Sequence, residues 1–219
     1  MRIPMITVIG SNKGGASKST TATNVAIALA LRGKDVCLLD ADLQSSAAKW
    51  HASREESDLQ PRITLIQKYG NISQTLRQLD EKFDHVIVDV AGRNSRELAN
   101  AGAVADIIIA PHLCSQFDLD TLEELESQLE AWQDLNPGLV LYMYQTRATT
   151  NPVLRGKERA EFLTYLEDFP TLSPLNAINC ERKIYRDVVP LGKSVLEASN
   201  NTAIDEVNQL IEEVYAQWL

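Results

Sequence analysis

The sequence predicts an α/β fold: a doubly wound, mostly parallel sheet with helices on both faces, in a single domain over residues 1–219. Three observations carry that expectation. Short apolar runs alternate with helix-like stretches along the whole chain, the order that builds strand–helix–strand units. The first, fourth and fifth apolar runs are continuous and β-branched, as strands covered on both faces require. No linker, repeat or low-complexity tract interrupts the alternation, and 219 residues with 44% hydrophobic content can bury one substantial core.

In chain order, strands are expected over residues 3–9, 35–39, 63–67, 85–89, 107–110 and 139–144, with a weaker one near 175–178. Helices are expected over 20–32, 45–53, 73–82, 96–104, 119–135, 153–166 and 202–218. In the fifth helix, Leu119, Leu122, Leu125, Leu129 and Trp132 form one apolar stripe with the carboxylates elsewhere, the pattern of core packing. Ile204, Val207, Leu210, Ile211, Val214, Tyr215 and Trp218 do the same in the last helix. Asp118, after Ser115, Gln116 and Phe117, reads as the N-cap of the fifth.

The net charge is −9, and one segment carries it. From Glu97 to Gln145 there are nine acidic residues and neither Lys nor Arg, so the rest of the chain is neutral overall. Basic residues gather at Arg147, Arg155, Lys157 and Arg159, and again at Arg182, Lys183, Arg186 and Lys193. A face built from these residues could contact a phosphate backbone without reading bases, and Arg182, Lys183, Arg186 and Lys193 are taken as the candidate DNA-binding residues. Cys37, Cys114 and Cys180 are odd in number, widely spaced and without CxxC, which argues against disulfides and zinc and for a reducing cytoplasm. The apolar run at 6–9 is too short for a signal peptide, and no stretch approaches the roughly 20 apolar residues that span a bilayer. A cytoplasmic location away from membranes is therefore expected. His51, His85 and His112 lack metal-ligand spacing and are assigned no role.

The most informative stretch is Lys13-Gly14-Gly15-Ala16-Ser17-Lys18-Ser19, lying between the first apolar run and the first helical stretch. A strand turning through glycines into a helix aims backbone N–H groups inward and adds the positive end of the helix dipole, so it cradles phosphate. Lys18 can reach the outer phosphates and the Ser19 hydroxyl can ligate Mg²⁺, with Thr20 completing the nucleotide-binding set. The strict pattern GxxxxGK[ST] is broken by Asn12 and by Ser17 at its two glycine positions. What stands instead is xKGGxxK[ST], with Lys13 as an extra lysine five residues before the main one. Two ammonium groups so close repel unless polyanionic phosphate lies between them.

This box resembles the deviant Walker A motif of the ParA/MinD family of P-loop ATPases. The resemblance implies that Lys13 reaches across a dimer interface to the phosphates of the partner subunit. Two further boxes extend it. Leu38-Leu39-Asp40-Ala41-Asp42-Leu43-Gln44 is similar to the family's DxDPQ box, with Leu43 in place of proline. By that likeness Asp42 positions or polarises the attacking water, and Asp40 is in the Mg²⁺ shell or structural. Val86-Ile87-Val88-Asp89 followed by Gly92 resembles a Walker B element, so Asp89 would hold Mg²⁺ and the Gly92 N–H could approach the γ-phosphate. Arg147 stands where this fold often meets the nucleotide base, and Pro190 with Leu191 resembles the short loop flanking it.

The resemblance covers nearly the whole chain and is nearest to the small plasmid-partition ATPases. It implies ATP and Mg²⁺ as ligands, an ATP-dependent homodimer sandwiching two nucleotides, and nonspecific DNA binding by that dimer. Slow hydrolysis through Lys13, Lys18 and Asp42 would be stimulated by a cargo- or centromere-binding ParB-type protein, driving plasmid or chromosome partition. The alternative is an ATP-dependent positioning factor for a protein machine, without DNA binding, docking through the acidic helix. A metabolic P-loop enzyme would need a small-molecule pocket beyond these boxes. Neither the N-terminal helix-turn-helix extension of larger partition ATPases nor a MinD-like C-terminal membrane helix is expected.

Overall fold

The computed structural model of the chain describes residues 5–92, 95–113 and 119–219. Seven strands form one sheet with every neighbouring pair parallel: β1 (Met5–Ile9), β2 (Val36–Ala41), β3 (Thr64–Gln67), β4 (His85–Val90), β5 (Ile107–Leu113), β6 (Val140–Ala148) and β7 (Ser173–Cys180). Their order across the sheet is β3-β2-β4-β1-β5-β6-β7. The winding direction reverses beside β1, and the crevice at the carboxyl ends of the strands flanking such a reversal is where open α/β sheets take ligands.

Successive residues of the central strands face opposite layers. Met5, Ile9, Ile87, Ile107 and Ile109 join one core cluster, while Ile6, Val8, Val86, Val88, Ile108 and Ala110 join the other. The first cluster is closed by α1 (Lys18–Leu31), α2 (Ser46–Glu56) and α8 (Asn201–Tyr215). The second is closed by α3 (Ser73–Asp80), α4 (Arg96–Gly102), α5 (Leu119–Leu135) and α6 (Pro152–Leu166). Leu122, Leu125, Leu129 and Trp132 of α5 are buried, as are Val207, Leu210, Ile211, Val214 and Tyr215 of α8, so both stripes pack on the sheet. This is the doubly wound α/β architecture that the alternation predicts.

Differences lie at the element ends. β5 and β6 run past their expected limits because Pro111, His112 and Leu113 keep pairing with Tyr144, Gln145 and Thr146. Buried polar residues end an apolar run without ending a strand. Beyond β7 the chain forms a short helix, α7 (Ile184–Asp187), and two 3-10 turns, Val189–Leu191 and Val195–Glu197. None of these is long enough to show a period in the sequence. Asp118, Cys114 and the first residues expected in β1 lie outside the described residues.

Candidate functional site

The loop between β1 and α1 turns through Gly15 at φ 72° and Ser17 at φ 66°. Glycine adopts left-handed backbone freely, whereas Ser17 does so against its own Cβ. The second departure from the strict motif thus changes the side chain and keeps the backbone shape that glycine ordinarily supplies. Lys18 opens α1, is 9% exposed, and donates from Nζ to the Lys13 carbonyl oxygen at 2.8 Å. Burial lowers its pKa, and the charges of Asp89 and Asp42 oppose that shift. Gly92 lies against the loop: a Cβ there would sit 3.4 Å from Lys18 Nζ and 3.7 Å from the Gly14 nitrogen. Lys13 is half-buried at the loop's start.

The three aspartates have three different environments. Asp40 and Asp89 face each other in register across β2 and β4, with Ile9 level with Asp89 on β1. Asp40 is wholly buried and committed to backbone: Oδ1 accepts from the Asp42 N–H at 3.1 Å and Oδ2 from the Ala48 N–H at 2.8 Å. It therefore ties the Asp42 loop to the first turn of α2. Burial raises its pKa, and those two N–H bonds resist the rise. Asp42 accepts from the Gln44 N–H at 2.9 Å and, half-exposed, lines the cavity over the loop.

Asp89 is fully buried, yet neither carboxylate oxygen reaches a partner at full hydrogen-bond geometry. Burial pushes its pKa up to about 7, with the Ser19 hydroxyl the foremost group holding it down. An unpartnered buried carboxylate is costly unless a ligand completes it. Oxygen donors from Ser19 and Asp89 suit Mg²⁺, which binds through one or two protein oxygens plus phosphates and water. The residues present fit that ion.

A cavity of about 390 Å³ opens over the loop. Gly15, Ala16, Ser17, Lys18, Ser19, Thr20 and Asp42 form one side, and Arg147, Asn179, Cys180, Glu181, Arg182, Tyr185 and Arg186 form the other. Arg147, at φ 53°, pairs through Nε with Glu181 and places Nη1 3.5 Å from the Gly15 carbonyl oxygen. It spans the two sides of the cavity. Pro190 lies exposed in the turn after α7 and is not part of the cavity wall among the described residues. Arg182, expected on a basic surface, is instead drawn into the wall by an ion pair of 2.8 Å to Glu206. Lys183 is exposed and paired with Asp187 at 2.7 Å, and Arg186 is exposed at the cavity rim, 3.8 Å from Glu181. Lys193 is half-buried, its carbonyl accepting from Trp50 Nε1 at 3.1 Å.

Asn179, Cys180, Glu181 and Tyr185 escape the motif reading. Their signal was positional: a polar run at the carboxyl end of a strand in an alternating α/β chain stands on the ligand-binding edge.

A cavity bounded by a helix N-terminus on one side and strand-end carboxylates beside it marks a nucleotide-binding domain of the phosphate-loop class. Comparison with known families makes the class specific. The model of the CobQ/CobB/MinD/ParA nucleotide-binding domain matches residues 7–203, and the chain belongs to that ParA/MinD family. It is 28% identical over 214 residues to the maintenance of carboxysome distribution protein A of Halothiobacillus neapolitanus, covering 94% of each chain. It is 26% identical over 243 residues to the chromosome-partitioning ATPase Soj of Thermus thermophilus, covering 95% of this chain and 94% of that one. Among solved structures, a Cyanothece McdA variant in complex with ATP matches with a TM-score of 0.79 at 16% identity, covering 96% of both chains. Among the described residues no helix is long and apolar enough to cross a membrane.

Proposed function

We propose that this chain is a partition-type ATPase that positions a cargo through an ATP-dependent sandwich dimer bound to nonspecific DNA. The observation that carries the reading is the pairing of a two-lysine phosphate loop with Asp42 and with the buried, unpartnered Asp89 beside Ser19. The backbone of the loop and Lys18 hold the phosphates. Ser19 and Asp89 hold Mg²⁺, which when bound offsets phosphate charge. Asp42, whose carboxylate stays open to the cavity, orients the attacking water, while Asp40 keeps its loop in place by capping α2. Lys13 of each subunit reaches the phosphates held by the other, so nucleotide binding and dimerisation are one event. Dimerisation doubles the basic surface offered to DNA and multiplies a weak affinity. Hydrolysis dissolves the sandwich, sped by a ParB-type partner on the cargo.

Similarity over nearly full length to both a chromosome-partitioning ATPase and a carboxysome distribution protein supports the partition reading and leaves two cargo classes, a replicon and a protein body. The carboxysome relative, by its name a distribution protein, accords with the positioning part of the other reading, a factor that binds no DNA and docks through α5, and is silent on DNA. DNA retardation with ADP and with a slowly hydrolysed ATP analogue separates them, since only the first reading requires a nucleotide-dependent shift. The dimer is tested by size-exclusion chromatography with ATP on the wild type and Lys13→Ala. The wild type is expected to dimerise and the variant to stay monomeric. An ATP-dependent dimer that persists without Lys13 removes its role across the interface.

A further inference from the structure

Glu206 stands where the stripe of α8 calls for a hydrophobe. It falls between Ala203 and Leu210 on the helix face that packs on the sheet, and it is 7% exposed. Its carboxylate is the junction of one side of the nucleotide cavity. Oε1 accepts from Arg182 Nε at 2.8 Å and is ion-paired with Nη2 at 2.8 Å. Oε2 accepts from the Cys180 N–H at 3.2 Å and from the Tyr185 hydroxyl at 3.0 Å. The Tyr185 hydroxyl also lies 3.3 Å from the Ala203 carbonyl oxygen, and Asn179 Oδ1, beside it in the wall, accepts from the Arg147 N–H at 3.4 Å. Cys180, Arg182, Tyr185, Asn179 and Arg147 all line the cavity, and none belongs to the phosphate loop.

We infer that Glu206 is the positioning residue of the nucleoside end of the cavity, fixing the wall built by the end of β7 and by α7. The inference rests on the nucleotide-binding reading above and adds the residue that shapes the half of the site no motif describes. A buried carboxylate is tolerated only when its charge and lone pairs are met, and here a guanidinium and two further donors meet them. The arrangement works in both directions. Glu206 stays buried because the wall supplies donors, and the Cys180, Arg182 and Tyr185 part of the wall keeps one shape because its donors converge on Glu206. It also assigns Arg182 to the nucleotide instead of to DNA.

Calorimetric titration with magnesium–ATP and with magnesium–tripolyphosphate tests this, because tripolyphosphate reports the phosphate loop alone. The wild type is expected to prefer ATP. Glu206→Gln keeps size but breaks the ion pair. It should weaken ATP about tenfold, the equivalent of one charge-assisted hydrogen bond, while tripolyphosphate stays within about twofold. Tyr185→Phe removes one donor and leaves the ion pair, so it should shift the same ratio by a smaller factor. Should Glu206→Gln fail to fold, both ligands are lost together and Tyr185→Phe decides. A folded variant whose two affinities fall in parallel, or whose ATP affinity is unchanged, overturns the inference. So does a wild type that binds both ligands equally, although its phosphate loop would stand. A wild type that binds neither overturns the nucleotide reading and this inference with it.

Discussion

His85 opens β4 at 1% exposure, its ring edge-on to Tyr215 with centroids 5.7 Å apart and its Nδ1 without a hydrogen-bond partner. Burial pushes its pKa down to about 4, the Lys34 charge assists, and Asp84 opposes. Below about pH 6.5 the unfolded chain takes up a proton that the folded one refuses, so stability falls as pH drops from there towards about 4. His85→Phe keeps an aromatic ring in the same space and removes the titration. Urea unfolding at about pH 7 and about pH 4.5 should show the stability difference between the two conditions shrinking by about 2–3 kcal/mol in the variant. Asp40 and Asp89, with raised pKa values, act in the opposite sense in both proteins and cancel in the comparison. An unchanged difference would mean that His85 charges freely in the folded state. The same residue marks a limit of motif reading, which gave it no role: its burial follows from β-sheet register, and an isolated histidine carries no sign of that.

At the scale of elements, α1 and α2 both begin at the site and both grip the segment 189–197. Arg54, in the last turns of α2, is 1% exposed and donates to the Gly192 carbonyl oxygen at 3.0 Å, to the Pro61 carbonyl oxygen at 2.8 Å, and to both oxygens of Glu197 at 2.9 and 3.1 Å. On α1, Asn24 Oδ1 accepts from Ser194 Oγ at 2.7 Å and from the Val195 N–H at 3.0 Å. Gly192 makes this clamp possible: its φ is +65°, and a Cβ would lie 2.2 Å from the Arg54 backbone nitrogen. Gly192→Ala should therefore cost at least about 3 kcal/mol, because backbone has to move to admit one methyl group. Gly156→Ala, inside the exposed first half of α6 with nothing within 4 Å, should gain about 0.5–1 kcal/mol by lowering chain entropy. Chemical denaturation of the two variants checks the contrast, and equal midpoints would refute the clamp. The seven strands and most helices were legible because continuous apolar runs and a 3.6 period are written locally. Arg54 was not: in its own polar stretch it reads as a solvated charge, and what buries it lies 138 residues away. The motif half of the site was legible for the same local reason, since the loop and Asp42 each follow a recognisable strand and Asp89 stands near the end of one. Glu206 and Tyr185 come together only when α7 and α8 fold onto β7.

For the whole molecule, the sheet separates the acidic helix from the second basic group, while Arg155, Lys157 and Arg159 lie on α6 on the acidic helix's side. The acidic helix α5 packs on the face that holds α3, α4 and α6, whereas Tyr185, Val188 and Val195, which anchor the segment from Lys183 to Lys193, belong to the core of the opposite face. A helix layer on each side of a sheet puts about 20 Å between those surfaces, roughly two Debye lengths at physiological salt. The net charge of −9 is thus compatible with a DNA contact on the α1/α8 side. With Arg182 held in the nucleotide wall, Lys183, Arg186 and Lys193 remain for that contact. The Lys183–Asp187 ion pair is exposed, so a phosphate can displace it at little cost. A dimer would then offer about six phosphate contacts, and the logarithm of its DNA affinity should fall against the logarithm of salt concentration with a slope near −5. Lys193→Ala, lost twice in a dimer, should reduce the steepness by about 2 and leave ATP affinity unchanged. Binding isotherms on unrelated duplexes across a salt series, with a slowly hydrolysed ATP analogue, give both slopes. A wild-type slope near zero would remove the DNA contact, and a steep slope indifferent to Lys193 would move it to another face of the molecule.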